Sequence, residues 1–408
     1  MKTERLVFFL DKIAAWSLYI IIFTLPFSKS IVEISIAVGI VSIVAKKILA
    51  RERILVNTHI EIFLYIFVAA SLISIFNTQT SQLALSARAF FSKTLKFAAL
   101  FLITKEIINT REKLSNFIMI AALSCAVMLV DAFAQYFITH EDFLHKYTSF
   151  LYTKEWPNFR GFPTASFPFP NDFAAWMLVF IFPAFAFALF VKGDIRKNVI
   201  GSVLFAALLY FLIITKVRGA WAAFFFSFIL LCIVKLKRIG WLLLLVIVVM
   251  AGALNMEHRL LSMASVNDRS VMWKNSTTIL MRHPVIGNGL NTFYDNYMKV
   301  REDKFRDSHG SYAHNCYLQM AAEIGLVGLI AFLVFVISVL YNAFRSLAYI
   351  KDSFYYSIVL GAGLGLSAFL IHSAVDTSLY SLPLAALFWL SLGILSATIN
   401  ISKIEAGT

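Results

Sequence analysis

Long apolar runs recur along the whole chain, and they leave few folds open. "LVFFLDKIAAWSLYIIIFTLPF" at residues 6–27 is the first of them. A helix that crosses a bilayer needs about 20 mostly apolar residues. Twelve windows approach that requirement: 7–26, 31–45, 60–76, 89–104, 117–138, 173–191, 199–215, 219–234, 239–254, 320–341, 354–372 and 382–399. A soluble core of 408 residues has no room for a chain that is 60% hydrophobic, 14% charged and carries 40 Phe. The expected class is therefore an all-α integral membrane protein of about twelve transmembrane helices, forming one polytopic domain over 1–408. The first run follows "MKTER", carries Asp11 and Lys12 and lacks a small-residue cleavage pattern, so it reads as an uncleaved anchor.

The sequence pI near 9.6 would suit a nucleic-acid binder, but the placement of the charges argues against one. With the N-terminus taken as cytoplasmic, Lys46, Lys47, Arg51 and Arg53 fall on the inner side, as do Lys105, Arg111 and Lys113. Further groups at Lys192, Arg196 and Lys197, and at Lys235, Lys237 and Arg238, join them, with Arg345, Lys351 and Lys403. Together with Lys2, Arg5 and Lys12, inner segments hold 19 of the 36 Lys and Arg, the distribution that orients polytopic proteins. Both termini are then inside, and nucleic acid is not an expected partner.

Two outer segments are longer than turns: a first periplasmic loop at 139–172 and a large one at 255–319, just before span ten. The second contains an expected helix over 269–283. Asn267 or Asp268 is available to cap it, Pro284 to stop it, and Trp273, Thr277, Leu280 and Met281 would share one face. Between spans seven and eight an outer turn of about four residues, "TKVR", carries Lys216 and Arg218. Short outer turns should avoid cations, so two there ask for an anionic partner, the alternative being a pair that snorkels towards lipid headgroups. Cys125 and Cys232 fall within spans and Cys316 near the outer surface, so no intrachain disulfide is expected.

"SYAHNCYLQMAAEIGLVG" at 311–328 places His314 and Asn315 where a polar stretch turns into an apolar helix, with Gly325 and Gly328 following. That pattern resembles the signature of bacterial O-antigen ligases and the related O-antigen polymerases. "TKVRGAW" resembles the family's Arg-Gly turn, with Arg218 as the arginine. "DRSVMWKNSTTILMRHPVIGNGLNTFY" is similar to its outer-loop stretch, with Arg269 ahead of a tryptophan, and "RGFPTASFPFPNDFA" to the preceding element, with Arg160 and Asn171 matching. The resemblance runs from about 160 to 399. Lys216 departs from it, since a small hydroxyl residue more often stands near that arginine.

The resemblance implies a glycosyltransferase of GT-C-like architecture in the bacterial inner membrane, its active site facing the periplasm. Such an enzyme moves a glycan from a polyprenyl (undecaprenyl) diphosphate carrier to a hydroxyl of lipid A-core, or of another glycan in a polymerase. Membrane lipid is its solvent, and no cofactor is implied. The chemistry of the residues is compatible. Charge gathers on a diphosphate as it leaves, and arginine's planar fork binds two phosphate oxygens at once, which suits Arg218, Arg269 and Arg160. A hydroxyl nucleophile needs a base that titrates near neutral pH, which suits His314. Asn315 would orient that histidine or the acceptor, and Gly325 and Gly328 would let a neighbouring helix approach.

Within the spans the ionisable groups are few: Asp11, Lys12, Lys93, Lys96, Asp131 and Glu323, each a functional suspect by position. Glu323 is expected in a supporting role on a face away from His314. Asp376, at the outer end of span eleven beside His372, is expected to pair with an outer arginine. His309 and His314 are too poorly accompanied for a metal, so metal-independent catalysis is expected. A twelve-span transporter is the rival class, but transporters place polar groups near the midplane of two similar halves, whereas here they gather outside.

Overall fold

In a computed structural model the chain is described over residues 2–53, 60–149, 161–232, 235, 245, 264–301 and 312–407. Fourteen α-helices occupy the described residues, in the order α1 (Lys2–Thr24), α2 (Lys29–Ala50), α3 (Glu61–Ile75), α4 (Leu83–Ala89), α5 (Lys96–Ile107), α6 (Arg111–Ala134), α7 (Pro170–Phe190), α8 (Ile195–Ile214), α9 (Arg218–Leu231), α10 (Ala264–Leu280), α11 (Phe293–Val300), α12 (Cys316–Ser346), α13 (Ser353–Ser373) and α14 (Leu382–Ala406). A π-helical turn, Phe90–Leu95, joins α4 to α5, and a second, Gln135–Thr139, extends α6.

Seven of these segments are long and apolar enough to cross a membrane, among them α1, α6, α7, α8, α12, α13 and α14; α3 and α9 are apolar but shorter. The chain is a multi-pass, all-helical membrane protein. Expected spans two and four correspond to α2 and to the α4–α5 run. Both are helical, yet neither meets the same test: Glu33, Lys46 and Lys47 interrupt α2, and α4 and α5 are separately short. Span nine, 239–254, lies outside the described residues apart from Leu245.

The two ends of the bundle differ in chemistry. At one end, ion pairs tie helix termini together: Lys46 and Lys113 both reach Asp11, at 2.7 and 2.6 Å, Lys47 pairs with Glu106 at 2.7 Å, Lys105 with Glu61, and Arg111 with Asp352 at 2.8 Å. These are the residues whose clusters oriented the sequence. The opposite end is held by neutral or mixed hydrogen bonds, such as Asn77 Nδ2 to the Gly287 carbonyl at 2.6 Å and Gln82 Nε2 to Asp295 at 2.7 Å. The connections 76–82, 161–169 and 281–292 all lie there.

Small residues set the closest approach. Gly361 and Gly365 stand one turn apart on α13, and α7 packs against them. A Cβ on Gly361 would fall 2.5 Å from Pro183 Cα, and one on Gly365 would fall 2.8 Å from the Val179 carbonyl. Without a hydrophobic drive between helices in lipid, such backbone-to-backbone contact is what holds a pair together. It fixes the start of α7 beside the end of α13.

α12 is broken rather than continuous. Gly325 has φ 72° and ψ 175°, outside the helical region. The turn at 284–289 fills the gap. The N–H groups of Asn288 and Gly289 donate to the carbonyls of Ala322 and Glu323 at 3.0 and 2.9 Å, and those of Leu326 and Val327 donate to Pro284 and Val285 at 2.8 and 3.4 Å. Backbone groups freed by a break at membrane depth need partners inside the protein, and the outer loop supplies them. A Cβ on Gly325 would lie 2.1 Å from the Val285 carbonyl, so this glycine admits a loop, not the neighbouring helix expected from the sequence. Gly328 instead makes room for Ile324 of its own helix.

Candidate functional site

Five segments meet at the end of the bundle that lacks the ion pairs. α12 begins at Cys316, and Asn315 is its cap: its Oδ1 accepts from the N–H groups of Tyr317 and Leu318, each at 3.0 Å. The asparagine side chain is thus spent on the helix start, which is what an N-cap does. His314, one residue earlier, has φ 49°, a left-handed conformation uncommon for a residue with a Cβ. Its carbonyl accepts from Trp273 Nε1 at 3.4 Å, which joins it to α10. Its Nδ1 is buried and has no hydrogen-bond partner among the described residues.

α10 spans Ala264–Leu280, so it runs through Asn267 and Asp268 instead of starting at them, and it ends ahead of Pro284. Its buried positions are Met272, Ser276, Ile279 and Leu280, one residue out of register with the expected face, and Met281 is 68% exposed. The reason is the partner: Met272, Ile279 and Leu280 pack with Ala321 and Ala322 of α12. This docking brings half-buried Arg269, one turn before Trp273, to the histidine.

The charges around His314 act in opposite directions. Burial pushes the His314 imidazole below its ordinary value; Asp376 opposes this and Arg269 adds to it. Asp376 follows α13. It accepts from Asn171 Nδ2, at the first turn of α7, and from the Thr377 N–H at 2.6 Å, and lies 3.8 Å from His372 Nε2. Its carbonyl faces Cys316 Sγ at 3.2 Å. Among the described residues Asp376 therefore pairs with an amide and a histidine, not with the outer arginine expected for it. The packing of α7 on α13 imposes that choice.

Arg218 is the first residue of α9, with Lys216 before it in the left-handed region at φ 54°. The Lys216 ammonium lies 5.8 Å from the centre of the Phe162 ring. Gly219 sits against α13: a Cβ there would meet Val375 Cγ2 at 2.7 Å and His372 Nδ1 at 3.2 Å. The Arg-Gly turn is thereby placed beside His372. Arg160 lies outside the described residues.

Glu323 is two helical turns below Cys316 on the same side of α12. Its carboxylate accepts from Gln319 Nε2 at 3.3 Å, and Gln319 in turn accepts the Ala313 N–H at 3.1 Å. His372 and Asp172 belong to the same neighbourhood, the latter within electrostatic reach of both Asp376 and Tyr312. Asp172 was missed because a carboxylate in "PNDF" looks like an ordinary helix-start residue. Among the described residues no three His, Cys, Asp or Glu side chains gather as a metal site would require.

Residues 202–333 match the family model described as O-Antigen ligase. That segment, about one third of the 408 residues, contains Lys216, Arg218, Arg269, His314, Asn315 and Glu323, and excludes Asn171 and Asp376. No curated protein matches the chain.

Proposed function

We propose that this chain, which carries an O-antigen ligase family domain over residues 202–333, transfers a glycan from a polyprenyl diphosphate carrier to a hydroxyl of lipid A-core. One observation carries the reading: the helix that bears Arg269 is joined to His314, a base-competent histidine at the start of α12, by the bond from Trp273 Nε1 to the His314 carbonyl. Arg218 stands at a second helix start, next to Gly219, which packs on His372. The uncapped N-termini of α7 and α9 point their partial positive charge into that region. Such an end of a bundle suits an anion.

His314 accepts the acceptor's hydroxyl proton on a ring nitrogen. The acceptor oxygen bonds to the anomeric carbon, and the bond from that carbon to the diphosphate oxygen breaks with its electron pair. The diphosphate leaves with its charge held by Arg218 and Arg269, with Arg160 as a third cation. Desolvation keeps the imidazole neutral near pH 7, the form a general base needs. Asp376, bonded to Asn171, sets the position of the α13 end, and Lys216 adds positive potential to the turn. Transfer proceeds without a metal, and excess chelator leaves the rate unchanged; a loss restored by magnesium or manganese would show otherwise.

The test is transfer with purified donor and acceptor. His314→Ala loses transfer by about 10²-fold or more while donor affinity persists. Transfer at the wild-type rate in that variant would move the base elsewhere. Offering lipid A-core and a second lipid-linked repeat unit in parallel separates ligase from polymerase, since the acceptor consumed names the activity.

A further inference from the structure

Lys93 and Lys96 have no part in the chemistry above, yet ammonium groups within membrane-embedded helices are costly and tend to mark sites. Both line a cavity of about 190 Å³. Its polar lining is Lys93, Lys96, Glu33 and Glu323, with hydroxyls from Ser92 and Thr94; aromatic and aliphatic side chains from α3, α12 and α14, including Trp389, complete it. Lys93 belongs to the π-helical turn Phe90–Leu95, a widened turn of a kind often found at functional sites.

The two ammoniums are unequally satisfied. Lys96 Nζ pairs with Glu33 at 2.5 Å. Lys93 Nζ donates to the amide oxygen of Asn291, also at 2.5 Å, and forms no ion pair with a described carboxylate. Glu323 faces the same cavity and acts electrostatically on Lys93 without pairing with it, while its carboxylate accepts from Gln319 Nε2 and from the N–H groups of Asn291 and Phe293. The amide holds the Lys93 ammonium in place and leaves its other N–H donors for a ligand.

The cavity borders the candidate active site. Tyr380 lines it, and its ring lies 6.2 Å from that of Tyr312, two residues before His314. Leu379 lines it too and donates its N–H to Cys316 Sγ at 3.4 Å. Met320, Glu323 and Ile324 extend it down the first half of α12 towards the break at Gly325. The space thus lies between the neighbourhood of the histidine and the apolar interior, with two ammoniums and two carboxylates on its wall.

The geometry points to this cavity as a second anion subsite, which takes a phosphate group carried on a lipid while the apolar walls take the first carbons of the chain. It rests on the transferase reading and deepens it, because a transfer between two membrane-anchored molecules has a phosphate on the donor carrier and one on an acceptor lipid. Either can supply the group. Lys93 makes the charged contact and Lys96, with Glu33 as its own counter-ion, sets the shape of the wall.

The experiment uses the full chain in lipid nanodiscs. Binding of polyprenyl diphosphate, and separately of phosphorylated and dephosphorylated lipid A-core, is measured by native mass spectrometry for wild type, Lys93→Gln and Lys93→Arg. A charge-assisted hydrogen bond predicts that Lys93→Gln weakens one of the phosphorylated lipids about tenfold. It leaves the dephosphorylated lipid unaffected, and Lys93→Arg restores binding, which excludes a folding defect. The lipid affected identifies the source, and its KM rises in parallel with kcat held. Unchanged affinity for both phosphorylated lipids, or equal loss for the dephosphorylated one, overturns the subsite. Binding needs no turnover, so Lys93-dependent phosphate binding without transfer would retain the subsite and remove the transferase reading; transfer with Lys93-independent binding would do the reverse.

Discussion

His314 is buried and feels two opposing charges, and its pH behaviour follows from all three. Burial and Arg269 favour the neutral imidazole while Asp376 favours the charged one. The acid limb of the rate profile should therefore lie below the ordinary histidine value, with activity lost as pH falls through it. Asp376→Asn removes the opposing charge and should move that limb lower still, whereas an unchanged limb would mean that Asp376 does not act on His314. Arg218→Ala and Arg269→Ala should each reduce transfer by about 10²-fold or more with insertion unchanged, and lysine should restore only part because it lacks the fork. Full activity of Arg218→Ala would assign that turn to snorkelling. At this scale the sequence made the histidine legible, because it stood at a polar-to-apolar border. The Asn171–Asp376 contact was not legible, since it joins residues 205 positions apart through helix packing alone.

Among the elements, long apolar runs announced nearly every described helix, because lipid leaves a chain no other way to satisfy its backbone. The break in α12 escaped notice. A glycine in an apolar run reads as a packing surface, and only the turn at 284–289 reveals that the helix stops. Gly325→Ala should be severe: its Cβ meets a carbonyl, and a residue with a side chain at that φ and ψ, a region confined essentially to glycine, costs about 1–3 kcal/mol before any clash. A fall in the melting temperature of the purified protein and loss of transfer are expected, and a wild-type melting curve would show that the loop yields easily. The register of α10 was misread for a related reason. Helical period gives a face, but the alanines of α12 decide which face is buried.

For the whole molecule, the orientation drawn from 19 basic residues predicts reporter fusions in the cytoplasm after residues 50, 110, 195 and 345, and outside after 155 and 290. An outside signal at 195 would overturn it. The ion pairs bear on the same question, since Asp11, Lys46, Lys47, Lys105, Glu106, Arg111, Lys113, Asp352 and Glu405 all belong to one end of the bundle. Distant cations that share acids across helices must share a side of the membrane. The loop inserted at Gly325 bears on how such a protein can be recombined. Residues 284–289 and 322–327 act as two halves of one joint, so a chimera that exchanges the outer loop alone inherits a socket made for a different plug. Exchanging both together should preserve the fold.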